Sequence, residues 1–160
     1  RESNSKELDS GLLSIIGFPA FAVDDPSLID ETRNTIVNRL QGRYGCKRFL
    51  RDGYKTPRED CSRLYHERGE LRMFENIECE WPLFFCYLIL NYAFQGNKEA
   101  VSEYASKLED IMVKTEEGMK LVPELYTVPH DSVADEYKHP GSSQRLPIGR
   151  VKLFHFNLLI

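Results

Sequence analysis

Six basic residues, Arg43, Lys47, Arg48, Arg51, Lys55 and Arg58, lie within 16 positions, opposed there only by Asp52 and interleaved with Tyr44, Phe49 and Tyr54. Cationic groups beside aromatic faces can hold a phosphate, a nucleic-acid strand or a sugar. The alternative is that some of these cations pair with buried carboxylates and the rest are solvated. Carboxylates form a second set. Glu75, Glu78 and Glu80 precede Trp81, and Glu124 sits in the apolar-flanked stretch Leu121-Val122-Pro123-Glu124-Leu125-Tyr126. A carboxylate in an apolar setting can serve as acid or base, because desolvation raises its pKa. Taken singly, each of these glutamates is otherwise an ordinary solvated or salt-bridged residue. His66, His130, His139 and His155 form no HExxH and no metal-ligand spacing, so no metal is expected. No phosphate-binding glycine loop, dinucleotide fingerprint, kinase signature or GxSxG element occurs, and no cofactor is implied.

These residues need a scaffold, and the chain length of 160 suits about one domain. Lys plus Arg number 21 and Asp plus Glu 25, for a net charge of −4. That balance disfavours a wholly basic nucleic-acid binder, and no nucleic-acid partner is expected. Mean hydropathy of −0.44 argues against an integral membrane protein. The apolar run Trp81 to Phe94 is shorter than the ~20 residues of a spanning helix. Cys46, Cys61, Cys79 and Cys86 make no CxxC pair, and free thiols are the expectation.

The apolar spacing predicts an all-α fold with helices near 5–17, 26–41, 82–95 and 98–114 and a long loop over 43–80. Asp24-Asp25-Pro26 is a helix start with Pro in the first turn, and Gly42 is a stop. The 82–95 segment has almost no polar face, which demands burial on all sides. The next helix carries Ala100, Val101, Tyr104, Ala105, Leu108, Ile111 and Met112 as one stripe, opposite a charged face. An internal helix joined to a half-wet one fits concentric rings of helices. Two hairpins cannot cover so apolar a helix, so the chain reads as a piece of a larger helical domain that is poorly folded or sticky alone.

The strings Gly42-Arg43-Tyr44-Gly45-Cys46-Lys47-Arg48-Phe49-Leu50-Arg51-Asp52-Gly53-Tyr54, Thr56-Pro57-Arg58-Glu59-Asp60, Phe74-Glu75-Asn76-Ile77-Glu78-Cys79-Glu80-Trp81-Pro82 and Val122-Pro123-Glu124-Leu125-Tyr126 resemble the large regulatory subunits of phosphorylase b kinase, nearer the alpha type. That region in turn resembles family 15 glycoside hydrolases, the glucoamylases. The resemblance implies part of an (α/α)6 toroid of glucoamylase-like type over residues 1–150, with 151–160 a divergent C-terminal end. It aligns Arg48, Asp52, Tyr54 and Trp81 with sugar-pocket positions, Glu80 beside them, and Glu124 with the general base. It places the general acid upstream of these residues.

The implied function is that of a regulatory subunit, not an enzyme: control of the kinase that activates glycogen phosphorylase. The alternative is an active glucan hydrolase with Glu124 as general base. The implied partners are the catalytic kinase subunit, other regulatory subunits, calmodulin for the full-length protein, and a glucose-like ligand. The implied location is cytoplasmic, at the membrane face by a prenyl anchor in full-length relatives. Asn157-Leu158-Leu159-Ile160 is not itself a prenylation box.

Overall fold

The computed structural model describes residues 8–149. The expected helix start at 5–7 and the divergent end 151–160 lie outside the described residues. Asp9 caps a 3-10 turn, Ser10–Leu12, by accepting the Gly11 N–H, and α1 (Leu13–Ile16) continues it. Asp25 caps α2 (Pro26–Leu40) by accepting the Ser27 and Leu28 N–H groups, with Pro in the first turn. This is the start expected from Asp24-Asp25-Pro26, since a side-chain acceptor satisfies donors that the first turn leaves open.

α3 (Leu83–Phe94) and α4 (Lys98–Asp110) form the expected hairpin, with Asn97 capping α4 through the Ala100 N–H. α3 buries Phe84, Phe85, Leu88 and Ile89 against Leu13, Ile36, Leu40, Tyr104 and Leu108 in the main core. Full burial of a side chain such as Phe85 or Leu88 contributes about 1.5–3 kcal/mol. The opposite side of α3 is not covered: Leu83 is 41% and Phe94 64% exposed. Phe94 instead meets Phe18 and Phe21 in an exposed aromatic group, with ring centroids 6.2 and 5.0 Å away. Burial of α3 on all sides is therefore not realised within the described residues.

The all-α expectation needs correction. The helices dominate, but four short strands form an antiparallel sheet in the order β1 (Cys46–Lys47), β2 (Glu80–Trp81), β5 (Leu125–Thr127), β6 (Leu146–Ile148). A second pair joins β3 (Val113–Lys114) to β4 (Lys120–Leu121). The expected helix to 114 thus ends at Asp110, and its last residues turn into β3. A further helix, α5 (Val133–Lys138), was not anticipated. Segments of two or three residues are too short to show a period-two pattern, which is why the strands escape a reading of apolar spacing.

The 43–80 segment is mostly loop, as expected, with β1 and one 3-10 turn, Glu70–Phe74, in it. It is ordered by buried acids as well as apolar groups. Glu78 accepts the Arg51 N–H at 2.7 Å and faces Lys47 Nζ at 2.9 Å. Gly45 has φ +148, and a Cβ there would lie 2.3 Å from the Trp81 carbonyl. Only glycine lets the loop approach β2 so closely in that conformation.

Candidate functional site: an arginine among aromatic rings

The sheet converts scattered sequence positions into neighbours. β1 and β2 pair with Cys46 opposite Trp81 and Lys47 opposite Glu80. The loop leaving β1 then folds back over the entrance to α3. Arg48 donates Nε–H to Asp52 Oδ2 at 2.5 Å and Nη2–H to Asp52 Oδ1 at 2.7 Å. The two parallel bonds fix the plane of the guanidinium. Its carbon lies 4.7 Å from the Tyr54 ring centre, 5.2 Å from Trp81 and 5.5 Å from Phe49. Tyr54 and Trp81 stack at 6.0 Å between centroids, and the Tyr54 N–H donates to Asp52 Oδ1 at 3.2 Å.

Asp52 is buried, whereas the Arg48 side chain keeps a third of its surface, 33%. Trp81 Nε1 is buried without an acceptor among the described residues. Four of the expected pocket residues, Arg48, Asp52, Tyr54 and Trp81, are therefore in one cluster. The arrangement can present an oriented cation, aromatic faces and an uncommitted N–H donor, which suits a polyhydroxylated ring more than a bare anion.

Glu80 has other partners. Its Oε2 accepts the Tyr44 N–H at 2.7 Å, and its Oε1 lies 3.2 Å from Arg145 Nη2. Burial pushes its pKa up; Arg145 and the Tyr44 N–H oppose that shift. A Cβ at Gly42 would lie 2.2 Å from the Glu80 carboxyl, so chain packs directly on it. These contacts describe a structural acid and do not bring Glu80 into the Arg48 cluster.

Glu124 is half-buried, immediately before β5. β5 pairs with β2 through Tyr126 opposite Glu80. A Cβ at Gly149, φ +92, would lie 2.2 Å from Glu124 Oε2. The backbone after β6 therefore closes on this carboxylate.

Reading the sequence missed Arg145. It is buried, donates Nη1–H to the Glu78 carbonyl at 2.5 Å, and sits within 3.4 Å of Glu136 Oε1. Glu136, fully buried, also accepts the Gly141 and Ser143 N–H groups at 2.8 and 3.0 Å. No local spacing signals this group, since its members come from distant segments. Among the described residues no group of three or more His, Cys, Asp or Glu could hold a metal ion. None of their helices is long and apolar enough to cross a membrane.

Residues 12–152 match the family described as Glycosyl hydrolases family 15. Over 150 residues, 94% of this chain, it is 71% identical to "Probable phosphorylase b kinase regulatory subunit alpha" of Drosophila melanogaster. Over 151 residues it is 56% identical to "Phosphorylase b kinase regulatory subunit alpha, liver isoform" of Mus musculus, and 56% identical to the skeletal muscle isoform of Oryctolagus cuniculus. The chain spans 12% of the length of each of these relatives. With nearly all of its described residues inside the matched region, the chain belongs to glycosyl hydrolase family 15.

Proposed function

We propose that this chain is part of an alpha-type regulatory subunit of phosphorylase b kinase and contributes to control of the kinase that activates glycogen phosphorylase. The observation that carries this reading is the 71% identity, over 94% of the chain, to a protein of that name. On this reading residues 1–150 are a portion of an (α/α)6 toroid of glucoamylase type, and the uncovered side of α3 packs on the rest of it. Residues 151–160 are a divergent end. The partners are a catalytic kinase subunit and other regulatory subunits, with calmodulin engaged elsewhere in the full-length protein. The location is cytoplasmic, with a lipid anchor at the membrane face.

The Arg48, Asp52, Tyr54 and Trp81 cluster then holds a glucose-like ligand, with the Trp81 N–H free to reach a hydroxyl. Glu124 occupies the general-base position without turnover. An inverting glycosidase needs two carboxyls about 6.5–9.5 Å apart, one of them a proton donor. Here Asp52 is bonded to Arg48, Glu80 to Arg145, and Glu78 to Lys47. None of the three is assigned as the proton donor, a role that the resemblance places upstream of these residues, and loss of one acid–base role costs roughly 10²–10⁴ in rate.

The test is affinity purification of the full-length protein at low salt. Recovery of a kinase that phosphorylates glycogen phosphorylase is expected, and failure to recover any kinase would overturn the reading. The second reading, a glucan hydrolase, rests on Glu124 beside Gly149. Glucose release from maltooligosaccharide that is abolished by Glu124→Gln would establish it instead.

A further inference from the structure

Away from the Arg48 cluster, the exposed residues Arg58, Arg72, Met73 and Tyr137 line a shallow, open depression of about 530 Å³. Its walls come from three separate segments, each anchored. Arg58 lies in a turn where the Thr56 N–H donates to the Gly53 carbonyl at 3.2 Å and the Glu59 N–H to the Thr56 carbonyl at 3.0 Å. Arg72 and Met73 lie on the Glu70–Phe74 turn, pinned by the fully buried Phe74. Tyr137 is on α5, and its hydroxyl donates to the Met73 carbonyl. The site is thus a junction of held elements rather than the tip of one loop.

Neither of its cations is ion-paired among the described residues. Four carboxylates near these residues in sequence have other partners. Glu59 accepts the Lys55 N–H at 3.0 Å, Glu70 bridges to Arg63 at 2.7 Å, and Glu75 pairs with Arg51 at 3.1 Å. Glu136, next to Tyr137, faces Arg145. Among the described residues neither Arg58 nor Arg72 makes an ion pair. The chain's net charge is −4, and this depression gathers two of its guanidiniums.

We propose that Arg58, Arg72, Met73 and Tyr137 form a binding site for a small phosphate monoester, separate from the sugar-pocket residues. Each guanidinium offers a planar fork of donors that matches phosphate oxygens. A monoester carries about −1.5 to −2 charges at pH 7, enough to engage both arginines. The depression is wider than a bare phosphate needs, leaving room for an organic body. Met73 and Tyr137 supply the apolar and aromatic surface for the organic body. A neutral sugar would leave both cations without an anion.

The test uses the full-length protein and titration calorimetry with phenyl phosphate, inorganic phosphate and a phosphoserine peptide. Saturable binding of phenyl phosphate is expected, about tenfold or more tighter than inorganic phosphate. Arg58→Glu and Arg72→Glu should each weaken it about tenfold or more, and Arg72→Lys less, because a point charge replaces a fork. Arg39→Glu, an exposed charge on α2, should leave it within about twofold. Binding should tighten as pH rises through the second phosphate pKa of about 6. Thermal melts of each variant check folding, which exposed positions leave intact. The proposal is overturned if phenyl phosphate shows no saturation by about 10 mM, or if neither arginine variant weakens it. It is equally overturned if inorganic phosphate binds as well, or if only the peptide binds.

Discussion

Arg48 and Arg145 flank the same two-residue strand and meet carboxylates in different ways. Arg145 is 5% exposed and is surrounded: carbonyls of Glu78 and Asn76, and the carboxylates of Glu80 and Glu136. Its Nη1 and Nη2 groups both meet protein acceptors. Arg48 uses one edge for Asp52 and lays its faces near Phe49, Tyr54 and Trp81, while a third of its side chain stays open. Both pairs neutralise a buried acid. The difference is that a saturated arginine can only hold the fold, whereas one held on a single edge is oriented and still has donors to give. Arg58 and Arg72 extend the contrast, since among the described residues they lack even that first carboxylate.

The largest effect should come from breaking the saturated member. Arg145→Met strands Glu80 and Glu136 in the interior, and losing one partner of a buried pair costs about 3–5 kcal/mol. Denaturant unfolding of the wild type and variant should show that loss. Arg48→Met should cost less by at least about 1 kcal/mol, because Asp52 keeps the Tyr54 N–H. An Arg48 variant as damaging as the Arg145 variant would erase the distinction drawn between the two.

Next comes Gly45→Ala. The added methyl would collide with the Trp81 carbonyl, and the positive φ strains any side chain there. A destabilisation of about 1–3 kcal/mol is expected. Trp81 is the sole tryptophan of this sequence, so displacement of its ring should move the fluorescence emission. An unmoved spectrum with unchanged stability would mean that the loop does not depend on this close approach.

Tyr54→Leu should sharpen the comparison more gently. It removes one aromatic face from Arg48 and the stacking partner of Trp81, while Asp52 remains paired. The expected cost is about 0.5–1.5 kcal/mol. Affinity for maltose, measured by calorimetry, should fall by more than this small stability change conveys. If stability falls and affinity does not, the cluster is packing rather than recognition.

The smallest effect concerns pH. Burial raises the folded pKa of Glu80 above its ordinary value of 4.5. The folded state therefore holds this proton where the unfolded chain has lost it. The associated stability is fully present below about 4.5 and is lost as pH rises through the raised folded value. Glu80→Gln should flatten that part of the stability profile. A profile that keeps its slope in the variant would assign the proton elsewhere.

Much of this was legible without coordinates. α2, α3 and α4 follow from apolar spacing, a Pro in the first turn and the Asn97 cap, all of which act within one or two helical turns. The Arg48–Asp52 pair is also local, four residues apart. The pairing of part of the basic cluster with acids was one of the two readings of that stretch, and Lys47, Arg48 and Arg51 follow it. The sheet was not legible, and with it the all-α expectation fell. Strands of two or three residues are created by their partners, not by their own composition. Glu80 was grouped with Trp81 because they are adjacent, yet its carboxylate is bonded to Tyr44 and Arg145.

By itself, the sequence determined α2, α3 and α4, the start of α2 and the family, because those depend on residue types at short, regular spacing and on long matching strings. Only the tertiary structure decided which charges are spent and which remain. A guanidinium's partner is chosen by distance and burial, and Arg145 reaches Glu80, while Arg58 and Arg72 reach no acid among the described residues, only after the sheet and α5 have folded the distant segments together. Coulombic attraction falls with separation in space and is blind to separation along the chain.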